Sequence, residues 1–227
     1  NAISEINPYI ADSTRPIAVD LHIKGTTASP ELFGSATFHG ETIAFRRGLG
    51  ELDALVGTLR FSGHRAFTDQ FLFNYNEAGV RLSGWVELPG FVLSAADIKF
   101  KASELPMRLP QALSLSADLD LRLTGTGANF KVTGKADIVE GRYARNFGLS
   151  ELFLQPEETD TNLSRDRLSF LPKDRTSLNI AIRNTGDFLV KNNLAELDMT
   201  TDLQLLGTLE NPTMNGQIDF SNGKVNA

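Results

Sequence analysis

Between Leu113 and Leu123 an apolar residue stands at every second position: Leu113, Leu115, Ala117, Leu119, Leu121 and Leu123 alternate with Ser114, Ser116, Asp118, Asp120 and Arg122. A period of two makes one face continuously apolar and the other continuously polar, which is the property of a β-strand and of no helix. The chain then turns at Gly125–Asn129 and returns through Val132, Gly134, Ala136 and Ile138 with the same alternation. Leu113–Tyr143 is therefore a long amphipathic hairpin.

The hairpin recurs. Counted from Gly125, apolar residues lie four and two places before (Leu121, Leu123), a ring lies five after (Phe130), a glycine nine after (Gly134), and apolar residues follow at eleven, thirteen and eighteen (Ala136, Ile138, Tyr143). The same offsets from Gly207 give Leu203, Leu205, Pro212, Gly216, Ile218, Phe220 and Val225. From Gly25 they give Leu21, Ile23, Pro30, Gly34, Ala36, Phe38 and Ile43. A partial fourth copy is Leu82, Gly84, Val86 and Leu88. Repetition of one supersecondary unit implies units that stack, each covering its neighbour.

Similar alternation marks Leu55–Phe61, Phe71–Tyr75, Val80–Leu88, Ile98–Phe100, Leu178–Ile182 and Leu197–Leu205, so the chain reads as about ten to fourteen strands with no helical period. Residues 1–16 form an entry segment and 17–227 one repeating domain, with hairpin copies near 19–45, 119–143 and 201–227. A turn is expected at Asn76–Gly79, and Asn192-Asn193 offers another because asparagine tolerates positive φ. Leu105–Pro110, with two prolines, is expected to lie outside any central strand. The charged stretch near 155–175 reads as a long mobile loop. The first residue is Asn1, and the chain reads as a piece of a longer protein.

Such a sheet poses a physical problem. About ten strands spaced ~4.8 Å apart, each apolar over ~25 Å, present on the order of 1,200 Å² of apolar face. The largest apolar patch on an ordinary monomer is about 300–600 Å². Each buried leucine contributes roughly 1.5–3 kcal/mol, so the face must be covered. The sheet either folds onto itself as a β-sandwich or closed barrel, or curls into a trough holding an apolar ligand. The glycines at the ninth offset, Gly34, Gly134 and Gly216, fall on the apolar phase and suit either a bend or a close approach.

The chemistry available narrows the function. The net charge is −6, which disfavours nucleic acid. There is no cysteine, which removes disulfides, thiolate metal sites and thiol nucleophiles. No run approaches the ~18 apolar residues of a membrane span. His22, His39 and His64 are scattered and read as solvated surface residues. Asp118 and Asp120, with Arg122, could form a carboxylate pair or a Ca²⁺ site but lack further oxygen ligands at loop spacing, and read as a solvated outer face. Gly125-Thr126-Gly127 begins like a dinucleotide loop, but no helix follows, and it reads as a turn. Trp85, the single tryptophan, reads as packed at a strand edge. The expectation is a protein that is not an enzyme and holds no cofactor or metal.

The segment LQLLGTLENPTMNGQIDFSNGKV at Leu203–Val225 resembles the C-terminal region of TamB-type proteins of the AsmA-like superfamily, and Glu104–Gly125 is similar to that family's recurrent lead-in to a hairpin. The resemblance implies an all-β fold: a long antiparallel amphipathic sheet curled into a U-shaped, taco-like groove with an apolar interior. It further implies an inner-membrane-anchored parent spanning the periplasm, phospholipid transport and outer-membrane biogenesis, a barrel partner of the TamA type, and phospholipid acyl chains as ligand. Assembly of outer-membrane β-barrel proteins by strand pairing is the alternative role. Groove-lining residues would then be Leu21, Ile23, Leu113, Leu115, Leu119, Leu121, Leu123, Ile138, Leu203, Leu205, Ile218 and Phe220.

Overall fold

In the computed structural model the described residues are 10–13, 17–27, 29–45, 51–109, 113–144, 171–191 and 195–225. They are all-β. The strands are β1 (Ile10–Ser13), β2 (Ala18–Gly25), β3 (Pro30–Phe45), β4 (Glu51–Gly63), β5 (Arg65–Tyr75), β6 (Ala78–Glu87), β7 (Ala95–Leu109), β8 (Leu113–Thr126), β9 (Asn129–Tyr143), β10 (Thr176–Asn184), β11 (Phe188–Lys191), β12 (Ala195–Gly207) and β13 (Pro212–Val225). Two single 3-10 turns, Pro89–Phe91 and Lys173–Arg175, are the only helical geometry among the described residues.

All thirteen strands belong to one sheet. From β3 to β9 each strand pairs with the next in the chain, so the core of the sheet is a meander. β1 and β2 share the outer edge of β3: β2 pairs with Pro30–Thr37 and β1 with Ile43–Phe45. β10 and β11 likewise share one rung between β9 and β12, with β13 pairing beyond β12.

The expectation of an antiparallel sheet needs one correction. β9 pairs in parallel with both β10 and β11. The chain leaves β9 at Tyr143 and re-enters at Thr176 at the other end of the rung. Parallel neighbours require a crossover of a dozen or more residues, and the charged segment supplies that length. Residues 155–170 of this expected loop, and the expected turn at Asn192-Asn193, lie outside the described residues. Leu171 is buried against Ala96 and Phe130, so the segment is pinned just before β10.

Proline is also placed differently. Pro106 lies within β7, opposite Ser116 of β8. The pairing of β6 with β7 ends at Val80↔Ala102, and a bulge follows in β7 between Ala102 and Leu105. Pro106 thus sits where β7 has a neighbour on one side only, and its missing N–H disturbs no ladder on the other. The β5–β6 connection is tighter than Asn76–Gly79: its two loop residues, Asn76 and Glu77, both have positive φ (48° and 71°), and Gly79 is already in β6.

The three hairpins β2–β3, β8–β9 and β12–β13 pair in one register. Leu21 faces Gly34, Leu121 faces Gly134 and Leu203 faces Gly216. The fixed spacing from leucine to glycine is the spacing that this register demands of a hairpin with a four-residue connection or its two-residue equivalent. The loops of the first and third repeat share their chemistry: Ser29 N–H donates to Thr26 Oγ1 and Asn211 N–H to Thr208 Oγ1, both at 3.1 Å.

Among the described residues β2 and β13 are not paired with each other, so the sheet is no closed barrel. Among the described residues no second layer covers its β13 end, where Met214, Ile218 and Phe220 are 45–57% exposed. A single open sheet with glycines of positive φ inside its strands is consistent with a sheet that curls into a groove.

Candidate functional site

Registers carry one apolar face across the sheet. Phe38 pairs with Gly57, Gly57 with Phe71, Phe71 with Leu82 and Leu82 with Phe100. The row continues through Leu121, Gly134, Ile180, Leu205 and Met214. A second row runs beside it: Phe73, Val80, Ala102, Leu119, Ala136, Ile182, Leu203 and Gly216. Because a strand's side chains alternate, two rows two residues apart lie on the same face.

Every residue named from sequence as groove-lining lies on this face. Leu113, Leu115, Leu119, Leu121 and Leu123 project from β8 opposite Leu109, Met107, Ala102, Phe100 and Ile98. Ile138 is buried opposite Ala117, and Leu203 and Leu205 lie opposite Ile182 and Ile180. The end strands differ: Leu21 and Ile23 in β2 are 37% and 73% exposed, and Ile218 and Phe220 in β13 are also open to solvent. The face is therefore half-buried along its middle and more open at its two ends.

The sequence reading left out several members. Phe38, Phe61, Phe71, Phe73 and Leu82 belong to the same face and form its best-packed cluster, with Ala36, Ile43 and Leu55. The Phe38 and Phe71 rings meet edge-to-face at 5.1 Å although their strands are separated by β4. Gly57 lies between them, and its missing side chain lets the rings close over it. Alternation shows these residues as strand residues; only the register shows that they share a face with Leu121.

Threonines interrupt the apolar surface and are mostly satisfied. Thr176 Oγ1 donates to the Pro172 carbonyl at 2.8 Å, and the Thr201 N–H donates to Asn184 Oδ1 at 2.6 Å. Asn184 Nδ2 in turn donates to the Met199 carbonyl at 2.9 Å, closing the break between β10 and β11.

The opposite face carries ion pairs. Arg122 forms a two-bond pair with Asp97, at 2.8 and 2.7 Å. Lys101 pairs with Asp120 at 2.8 Å, Lys135 with Asp137 at 2.9 Å and Arg183 with Asp202 at 3.1 Å. Asp118 accepts the Glu104 N–H at 2.8 Å. Asp118 and Asp120 are thus engaged by separate partners from β7 and do not act together on a common proton. His22 lies 3.7 Å from Asp20 on the exposed surface, and His64 contacts Ser29 at 3.1 Å. Trp85 is on this outer face too, with the Arg65 guanidinium stacked 4.3 Å above its ring. Among the described residues no three His, Asp or Glu side chains gather where they could hold a metal.

The hydrogen bonds from the Arg122 guanidinium hold the Asp97 carboxyl below its ordinary range. A carboxyl depressed in the folded state favours folding above its unfolded pKa, and this contribution is lost as pH falls through the folded value. Asp97→Asn is therefore expected to lower stability modestly at pH 7, with the difference from the parent shrinking as pH falls below about 4 and gone only below the lowered folded value. Urea midpoints at pH 7 and pH 3 measure it; an equal difference at both would exclude the pair as its source.

The arrangement defines a class: a one-sheet scaffold made of repeated hairpins, ion-paired on one side and apolar on the other. Residues 68–227 match the family model of the TamB C-terminal domain, and the chain belongs to that family. Membership places it among envelope proteins whose family is associated, at a general level, with a partner of the TamA type. No curated protein and no solved structure matches the chain. Among the described residues no helix is long and apolar enough to cross a membrane.

Proposed function

We propose that this chain is a non-enzymatic periplasmic module of an inner-membrane-anchored TamB-like protein, and that its apolar face lines a groove shielding phospholipid acyl chains between membranes. The observation that supports this reading most is the unbroken apolar row from Phe38 to Met214, which crosses ten strands. Each buried CH₂ of a ligand contributes ~0.8 kcal/mol, so part of an acyl chain suffices for binding, and head groups need little recognition.

Photo-crosslinkers at Leu121 and Leu205 are expected to capture phospholipid in cells, and one at Asp120, on the ion-paired face, to capture none. Equal labelling at all three would overturn the reading. A second role, assembly of barrel proteins by strand pairing, is favoured by one observation: among the described residues β13 pairs with β12 alone, and its fourteen residues leave a long edge. In the same experiment a crosslinker at Met214 is expected to capture client strands if that role holds, and lipid alone if it does not.

A further inference from the structure

Among the described residues the three most exposed large apolar side chains are Ile23 (73%), Val92 (69%) and Phe91 (66%). All three lie along one rim of the sheet, where its strands turn. Ile23 is next to the last residue but one of β2 and faces Leu32, while Phe91 and Val92 are in the β6–β7 connection. Pro30, Leu32, Phe61, Leu88 and Phe91 line one shallow hollow there, so the β6–β7 connection and the β2–β3 hairpin form a continuous apolar tip. The first, second and third strand pairs of the sheet all turn at this end, because Leu32 faces Gly63, Arg65 faces Glu87, and Glu87 faces Ala95.

The connection is held in place while its side chains are not covered. Phe91 N–H donates to the Leu88 carbonyl at 3.0 Å, Val92 N–H to Pro89 at 3.1 Å, Ser94 N–H to Glu87 at 2.9 Å and Leu88 N–H to His64 at 2.8 Å. Phe91 adopts φ +62°, a conformation that a bulky residue rarely takes. Phe91 is held in a strained conformation with two-thirds of its surface in water, only one side of it bordering Pro30, Leu32 and Phe61, and such strain persists where a use for it exists.

We propose that the Leu88–Leu93 connection, with Ile23 beside it, is a membrane-touching tip: Phe91 and Val92 enter the interfacial region of a phospholipid bilayer and set the rim of the apolar face, where its strands end, against it. The inference rests on the acyl-chain reading for its purpose, since lipid passes into a groove across a rim that meets a bilayer. A bilayer fits better than a protein partner. A stable protein interface buries about 1,200–2,000 Å² over twenty or more residues a side, whereas a few apolar side chains on a projecting turn suffice for interfacial insertion. Charge contributes little: the tip's Arg65 is already paired with Glu87 at 3.0 Å, and the chain carries a net charge of −6. Binding is therefore apolar and largely independent of salt.

The test is co-flotation of the chain with vesicles of phosphatidylethanolamine and phosphatidylglycerol. The Phe91→Ser/Val92→Ser double variant is expected to reduce the bound fraction at least roughly tenfold, from the transfer energy of the two side chains. Val56→Ser, at an exposed apolar site on the opposite face of β4, is expected to leave it within twofold. The chain has no cysteine, so a polarity-sensitive dye on Val92→Cys reports insertion at one site, with Asp69→Cys on the ion-paired face as reference. A blue shift on adding vesicles at Val92→Cys alone supports the tip. Unchanged flotation of the double variant, equal loss with Val56→Ser, or no shift at Val92→Cys overturns it. Lipid capture at Leu121 is scored separately: capture that survives with no tip-dependent flotation sinks the tip and leaves the groove, and tip-dependent flotation without capture does the reverse.

Discussion

Gly134→Ala is expected to destabilise the protein by about 3–5 kcal/mol, the sum of a backbone forced into a glycine-only conformation and a steric overlap that cannot relax. Gly134 has φ +142°, and a Cβ added there would stand 2.0 Å from the Asp120 carbonyl oxygen and 2.9 Å from the Leu121 Cα. Both obstacles are backbone atoms of β8, so a rotamer change offers no escape. Gly79→Ala is the control: Gly79 is also within a strand, but it has ordinary φ and open space around the added carbon, and its replacement is expected to fall within ±0.5 kcal/mol. Urea midpoints compare them, and similar losses at the two sites would refute the close-approach account. The same obstruction recurs at Gly34, Gly84 and Gly216, where the added carbon would meet the carbonyl oxygens of Asp20, Asp97 and Asp202 at 2.0–2.1 Å. Gly216→Ala should cost less in global stability, because β13 is an end strand and can open locally; hydrogen exchange of β13 amides would show the loss there.

The second large effect belongs to Phe71. Its side chain is 7% exposed, packs edge-to-face on Phe38 and lies 6.3 Å from Phe73. Phe71→Ala is expected to destabilise by about 3–5 kcal/mol, because Gly57 beneath it adds no side chain and Phe38 and Phe73 beside it would refill the cavity only in part. Phe71→Leu, which keeps most of the volume, should recover more than half of that. Thermal and urea unfolding measure both. A loss under about 1 kcal/mol for Phe71→Ala would mean that the cluster on β3–β6 does not hold the first half of the sheet together.

Gly34, Gly84, Gly134 and Gly216 face the same kind of partner, and the partner explains the pattern. In each case an aspartate precedes the aliphatic residue that faces the glycine: Asp20-Leu21, Asp97-Ile98, Asp120-Leu121 and Asp202-Leu203. The aspartate turns to the polar face, where Asp97, Asp120 and Asp202 find Arg122, Lys101 and Arg183, and the aliphatic residue turns to the apolar face. One dipeptide therefore supplies both faces of the sheet at the point where the glycine admits close approach. Gly134 and Gly216 were legible as repeat glycines on the apolar phase; the aspartates beside their partners were equally visible but carry meaning only once the register is known.

Alternation along the chain fixed the strand class, the polar and apolar phases and the three hairpins, because side-chain direction in a strand is a local property that every second residue reports. The same locality put Leu121 and Leu205 each on the apolar phase of its own strand. Sequence could not place Phe38 in the same row as Met214, align Phe71 over Gly57, admit Pro106 into a strand with one free side, or turn β9 and β10 parallel. Each of these depends on which strands become neighbours and in what register, and that is set by pairing between segments far apart in the chain. The bare ends at β2 and β13 and the projecting Phe91–Val92 turn belong to this second group, since exposure is a relation between a residue and everything folded around it.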